Sequence, residues 1–386
     1  MKRISVIFAI LILLSLVLSG CNKTASSDNV IKIGANFELT GTMAAYGASS
    51  MNGINLAVDE INNSGGVLGK KIKIVSVDNK SDVGESTNVA TKLINQDKVV
   101  AIIGTTATPT SLGMVNVVTD SKIPMIATTA TNPKVTVNPN TGKVRKYVFR
   151  ACFIDPFQGK VNADFAYNTL KAKTAVIYID DKSDFSKGLA KVFEDNFVKL
   201  GGKILDKEAY VQGDNDFRST LTKIKGVNAD ILFLPGHYAE VGKIIKQARE
   251  MGINSPILGG DGWDSPDLVK IAGSSAMNNT FMSNHFIASD NDPKVQDFVK
   301  KYKDKYGVEP DSRAVLAYDA TNILAAAIKN ANSTKADDIV KALENLKDFV
   351  GINGPIKFDK NHDPIKSAVI VEFKDGKQIF KAKVNP

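Results

Sequence analysis

Histidine and cysteine are scarce. The chain of 386 residues holds three histidines and two cysteines. His237, His285 and His362 stand far apart, and no His or Cys pair has metal-ligand spacing, so neither a metal nor a cofactor is expected. The G-x-S-x-G elbow that exposes a serine nucleophile at a strand-to-helix turn is absent. Residues 65–71, GGVLGKK, come nearest to a phosphate loop. Their glycine spacing is wrong, and no Ser or Thr follows the lysine to hold magnesium, so a helix-to-strand turn accounts for them. Ser111, His237 and Asp261 form a triad only on paper, and an enzyme is not expected. Long apolar runs are missing after the first twenty residues, which excludes a later membrane span. Charge of one sign is not concentrated either. The net +8 is the difference between 49 basic and 41 acidic residues spread along the chain. No basic run carries interleaved aromatics, so nucleic acid is not an expected partner.

What is present begins with a leader. Lys2 and Arg3 precede an apolar run over residues 4–18, and Leu18-Ser19-Gly20-Cys21 follows. Residues 1–20 read as a secretory signal, and small residues before Cys21 resemble a bacterial lipobox, in which that cysteine is lipidated and becomes the mature N-terminus. Residues 21–29 read as a polar tether. With Cys21 lipidated, Cys152 has no partner for an intrachain disulfide, so the core must be stable without one. Beside Phe153, Cys152 reads as a small buried hydrophobe.

From Val30 the pattern is α/β. The strand Val30-Ile31-Lys32-Ile33-Gly34-Ala35 is followed by Met51, Ile54, Val58 and Ile61 at helical spacing. Strands at 71–78 and 99–103 flank another helical face, which predicts a parallel sheet with right-handed crossovers. The rhythm starts again after 147–150, with strands at 174–179, 229–234 and 256–259. Length and repetition predict two doubly wound parallel-sheet lobes around a ligand cleft. Helices at 295–306, 314–330 and 336–346 are expected to return over the first sheet, and 368–373 with 378–383 to close a hairpin. Ligands in such sheets sit beyond the carboxyl ends of the strands. The loops at Tyr46, Thr108, Thr131, Asp181, Gly236 and Asp261 are therefore expected to face one site.

Residues 104–133 carry the chemistry. Apolar runs end at Gly104 and at Ala127, and each leads into a hydroxyl-rich loop, Thr105 to Ser111 and Thr128 to Thr131. The first loop enters a helix N-terminus, whose unpaired N–H groups and partial positive charge suit a small anion. Helix capping by the same threonines is the competing reading. Asp261, in Gly259-Gly260-Asp261-Gly262, offers a carboxylate at another strand end; an Asx turn is its alternative. Facing each other, the two features match a zwitterion, with the carboxylate on Thr108, Thr131 and nearby N–H groups and the ammonium on Asp261. Tyr46, Phe185, His237, Tyr238 and Trp263 are placed either to wall an apolar pocket or to pack within their own lobes.

An ordered set of motifs resembles the solute-binding proteins of ABC transporters for branched-chain amino acids. It runs through Leu39-Thr40-Gly41, Tyr46-Gly47, Ala57-Val58-Asp59-Glu60-Ile61-Asn62, Gly65-Gly66-Val67-Leu68-Gly69 and Ile102-Ile103-Gly104. It continues with Ala130-Thr131-Asn132-Pro133, Asp155-Pro156-Phe157-Gln158-Gly159 and Ala317-Tyr318-Asp319-Ala320. The resemblance implies the type I periplasmic binding protein fold, with three interlobe crossings. The expected lobes are 30–154 with about 286–365, and 155–285 with about 366–386. It implies Thr108 on the ligand carboxylate, Thr129 and Thr131 on its main-chain atoms, Asp261 on its ammonium, and Tyr46, Phe185 and His237 around its side chain. His237 departs from the family's aromatic there and suits a polar ligand group better than a plain hydrocarbon wall does. The implied function is extracytoplasmic: a monomer, lipid-anchored to the membrane through Cys21, binds leucine, isoleucine or valine and hands it to the transmembrane subunits of an ABC permease. Another solute on the same fold (an amide, urea or an aromatic acid) or a ligand-sensing role is the alternative.

Overall fold

The computed structural model describes residues 29–386; the expected signal peptide, Cys21 and almost all of the expected tether lie outside them. In chain order the first half runs β1 Val30–Phe37, α1 Ala44–Asn63, β2 Lys71–Asp78, α2 Val83–Asn95, β3 Ala101–Gly104, α3 Thr108–Asp120, β4 Met125–Ala127 and β5 Val148–Arg150. Next come α4 Asp155–Asp164, β6 Thr174–Asp180, α5 Asp184–Lys199, β7 Lys203–Tyr210, α6 Arg218–Val227, β8 Ile231–Phe233, α7 Tyr238–Glu250, β9 Ile257–Gly259, α8 Leu268–Ala272 and β10 Thr280–Asn284. The chain ends with α9 Pro293–Tyr306, α10 Ser312–Ala331, α11 Ala336–Glu344, the short hairpin β11 Phe349–Gly351 and β12 Gly354–Ile356, then β13 Ala368–Lys374 and β14 Lys377–Val384.

Two main sheets result. One has the order β2-β1-β3-β4-β5 and is parallel throughout. The other has the order β14-β13-β10-β9-β8-β6-β7. Its strands are parallel from β10 to β7, while β13 and β14 join antiparallel. The expected closing hairpin is therefore the edge of the second sheet. The chain passes between the sheets after β5, after β10 and ahead of β13. β10 was not foreseen. Thr-Phe-Met-Ser-Asn is buried along its whole length, so it lacks the alternation that marks a half-exposed strand.

Local chemistry fixes the helices that frame the cleft. α2 is capped by Asp82, whose carboxylate accepts from the Glu85 N–H, and its buried face is Val89, Ala90, Leu93 and Ile94. α10 is capped by Asp311 through the Ala314 N–H and is buried over most of its length against α1 and the first sheet. Gly53 of α1 makes that approach possible: a Cβ there would sit 2.1 Å from the Ala314 carbonyl oxygen. The hydroxyl run beyond Gly104 is shorter as a loop than its composition suggests. α3 already starts at Thr108, with Pro109 in its first turn, where the missing N–H costs nothing.

Register aligns the strand ends. Asn36 of β1 lies opposite Gly104 of β3, so the loops after Phe37 and Gly104 leave the sheet at one level. Met43 and Ala107 from these loops and Tyr46 in the first turn of α1 pack in one apolar cluster with Tyr210, Tyr238 and Trp263 of the second lobe. The lobes are thus closed on each other.

Candidate functional site

The first loop turns out to be partly self-satisfied. Glu38, fully buried just beyond β1, accepts from the Thr106 N–H at 3.2 Å, the Thr106 hydroxyl at 2.6 Å, the Ala107 N–H at 3.3 Å and the Thr110 hydroxyl. The chain's own carboxylate thus sits on part of the anion cradle, a relationship no spacing in the sequence announced. Thr108 escapes it. Its oxygen accepts weakly from the Asn132 N–H at 3.4 Å, so its hydroxyl proton stays available to a ligand oxygen. Thr129 donates to the Thr106 carbonyl at 2.7 Å, which leaves its oxygen as an acceptor.

Across the cleft, Asp261 heads a one-turn segment after β9. The backbone must come close here, because a Cβ on Gly262 would meet the Gly236 carbonyl at 2.4 Å and the Phe185 ring at 2.9 Å. Asp261 is buried and bonded. Oδ1 accepts from Gln158 at 2.9 Å, and Oδ2 lies 3.3 Å from His285 Nε2 and 3.2 Å from Arg313 Nη1. Arg313 also donates through Nη2 to the Asp261 carbonyl at 2.7 Å, and its guanidinium stands 4.4 Å above the Tyr46 ring centre. Burial acts to raise the Asp261 pKa, but hydrogen bonds from His285 and Gln158 and the charge of Arg313 outweigh it and hold the carboxyl at about 2. A carboxylate offers about four acceptor positions, and three are used. Oδ1 has room for one more donor.

Tyr46 bridges the lobes. Its hydroxyl donates to the Gly262 carbonyl and accepts from the Tyr238 N–H at 3.3 Å. His237 stacks on Phe185 with ring centres 5.3 Å apart and meets Tyr46 edge-on at 6.0 Å. Burial, with help from Arg313, pulls its pKa to about 4, so the ring is neutral at pH 7.

These groups line a tight cavity of about 10 Å³ bounded by Tyr46, Thr106, Thr108, Thr129, Phe185, His237, Asp261 and Arg313, among others. In this closed state that is room for about one water. Six of the seven residues singled out in the sequence meet there. Thr131 does not: it is buried beside Asp155, whose N–H donates to the Thr131 carbonyl at 3.0 Å. Trp263 and Tyr238 also stand off the wall. The Trp263 indole donates to the Leu234 carbonyl at 2.9 Å inside the second lobe, and Tyr238 packs against Tyr46. Arg313 was missed. A larger groove, about 620 Å³, runs along Asp264, Phe286, Val308, Asp311 and Lys377, but no buried, unpaired polar side chain faces it. Among the described residues no group of three or more His, Cys, Asp or Glu could hold a metal, and no helix is long and apolar enough to cross a membrane.

Residues 30–378 match the family model described as periplasmic binding protein. A leucine-binding protein, LivK, from Thermotoga maritima is 37% identical, with a TM-score of 0.87 over 92% of this chain and 99% of that one. LivJ from Streptococcus pneumoniae, a branched-chain amino acid transporter substrate-binding protein solved with isoleucine, is 38% identical, with a TM-score of 0.86 over 92% and 100% of the two chains. The Leu/Ile/Val-binding protein homolog 1 of Brucella suis is 31% identical over 86% of this chain and 87% of its own.

Proposed function

The chain belongs to the periplasmic binding protein family, the extracytoplasmic solute-binding proteins of ABC transporters, and from that premise we propose that it receives a free amino acid in the closed cleft. The observation that carries this reading is the pairing of Thr108 and Asp261 across one small cavity, a free hydroxyl donor facing a carboxylate with one acceptor position left. The ligand carboxylate goes to Thr108 and its ammonium to Asp261 and the Thr129 oxygen. Tyr46, Phe185 and His237 surround the side chain. The ligands named for LivK and LivJ, leucine and isoleucine, point to an amino acid of branched-chain size. The part played by Thr131 is to hold the loop beside Asp155.

Both lobes contribute to the cavity, so ligand contacts form together only when the cleft is closed, and binding favours that state. At a ceiling of about 1.5 kcal/mol per heavy atom, a ligand of this size reaches roughly −8 to −12 kcal/mol, which makes micromolar or tighter affinity attainable. Lipid on Cys21 tethers the receptor to the membrane, and the permease takes the amino acid from it. Calorimetric titration with the common amino acids tests the reading. Heat of binding from at least one of them is expected, and silence toward all refutes it.

A further inference from the structure

The wall around the ligand side chain is not hydrocarbon. His237 is buried, lines the cavity, and has no hydrogen-bond partner on either ring nitrogen. As a neutral imidazole it presents one N–H donor and one bare acceptor. Arg313 lines the same cavity from the opposite lobe, is 3% exposed, and leaves its Nε–H without an acceptor while Nη1 and Nη2 are engaged by Asp261. Buried polar groups in native proteins find partners with few exceptions. Two buried side chains with unpaired polar atoms, one from each lobe, line one cavity and form a built polar subsite.

The charge balance narrows what fits. Arg313 is already neutralised by Asp261, with its nitrogen 3.2 Å from Oδ2. A second carboxylate brought to the Arg313 Nε–H would lie close to the first and be repelled. An uncharged acceptor meets no such penalty, and a group that also donates satisfies the bare nitrogen of His237. We propose that the ligand side chain ends in an uncharged hydrogen-bonding group, a hydroxyl or an amide, held between Arg313 and His237. The inference rests on the amino-acid reading and specifies its side-chain chemistry. Among amino acids of branched-chain size, the cleft selects the polar isosteres over the aliphatic ones. A site built around hydrogen-bonding groups rejects the ligand lacking them strongly, because its own groups are left unpaired.

Isosteric pairs test this by calorimetry on the full chain. Threonine is expected to bind at least about tenfold tighter than valine, and asparagine at least about tenfold tighter than leucine. Arg313→Met and His237→Phe should each reduce that preference to within about threefold; two variants from opposite lobes guard against one failing to fold. Equal or tighter binding of valine and leucine overturns the inference and leaves the amino-acid reading standing. Aspartate binding tighter than asparagine overturns the uncharged assignment. Silence toward every amino acid removes the inference together with the reading beneath it.

Discussion

Arg313 Nη1 and Asp261 Oδ2 lie 3.2 Å apart across the cleft, one from each lobe, with side chains 3% and 2% exposed. Burial works against the charge on Arg313, and Tyr46 with Asp261, Asp264 and Asp311 outweighs it, so the guanidinium is held charged. The pair is therefore an ion pair that links the lobes. Removing one partner of a buried pair leaves the other uncompensated, at a cost of about 3–5 kcal/mol. The cycle of Asp261→Asn, Arg313→Met and the double variant, followed by urea unfolding without ligand, is expected to show a coupling of about 1–3 kcal/mol. Additivity within about 0.5 kcal/mol would mean that the two groups are apart in the ligand-free protein.

Asp155 gives a pH dependence of definite sign. Burial raises its carboxyl to about 7 against the lowering effect of the Thr131 hydroxyl, and neither oxygen has a well-formed hydrogen bond. Because the folded pKa lies above the unfolded one, the native state binds more protons between about pH 4 and 7. Its contribution is intact below pH 4 and is lost as pH rises toward 7. His237 works in the opposite sense: its lowered pKa means that stability rises between about pH 4 and 6.5. Asp155→Asn should remove the Asp155 part of the fall, leaving that of Asp311, whose carboxyl burial raises to about 6, and stabilise the protein at pH 8 by on the order of 2–4 kcal/mol. Thermal unfolding from pH 4 to 8 in both proteins checks the sign, and identical profiles would contradict it.

Glu38 holds the first loop in place for Thr108. Glu38→Ala deprives two N–H groups and two hydroxyls of their acceptor. A loss of about 3 kcal/mol in urea unfolding is expected, since buried donors without partners cost about 1–3 kcal/mol each and part of the loop can relax. A change below about 1 kcal/mol would show that water replaces the carboxylate there.

Thr108 and Thr131 separate by position. Thr108→Val keeps the shape and removes the donor that faces the ligand carboxylate. Affinity should fall about 10- to 100-fold, the worth of one hydrogen bond to a charged group. Thr131→Val, outside the cavity wall, should change affinity by less than about threefold. Calorimetric dissociation constants for both variants decide between the two threonines.

Much of this site could be read from the chain, for a physical reason. Strand ends in parallel sheets face one way, so finding the strands placed Tyr46, Thr108, Thr129, Phe185, His237 and Asp261 together. Thr131 follows the strand by two residues more than Thr129, where the chain has turned, and is not among the residues lining the cavity. Glu38 was illegible because a glutamate in a loop reads as solvated until the loop folds beneath another. Arg313 left a faint mark. It opens a helix, where the dipole disfavours a cation, and acids elsewhere in the fold compensate it. β10 carried no periodic signal at all.

Asp261 as the receiver of a ligand ammonium is tested by titrating the tightest-binding amino acid against its deaminated analogue. The wild-type chain is expected to bind the analogue at least about 100-fold more weakly, because the last acceptor position on Asp261 then meets no charge. Asp261→Asn should lose most of the affinity for the amino acid and discriminate little between the two. Equal binding of both ligands by the wild-type chain would contradict the account.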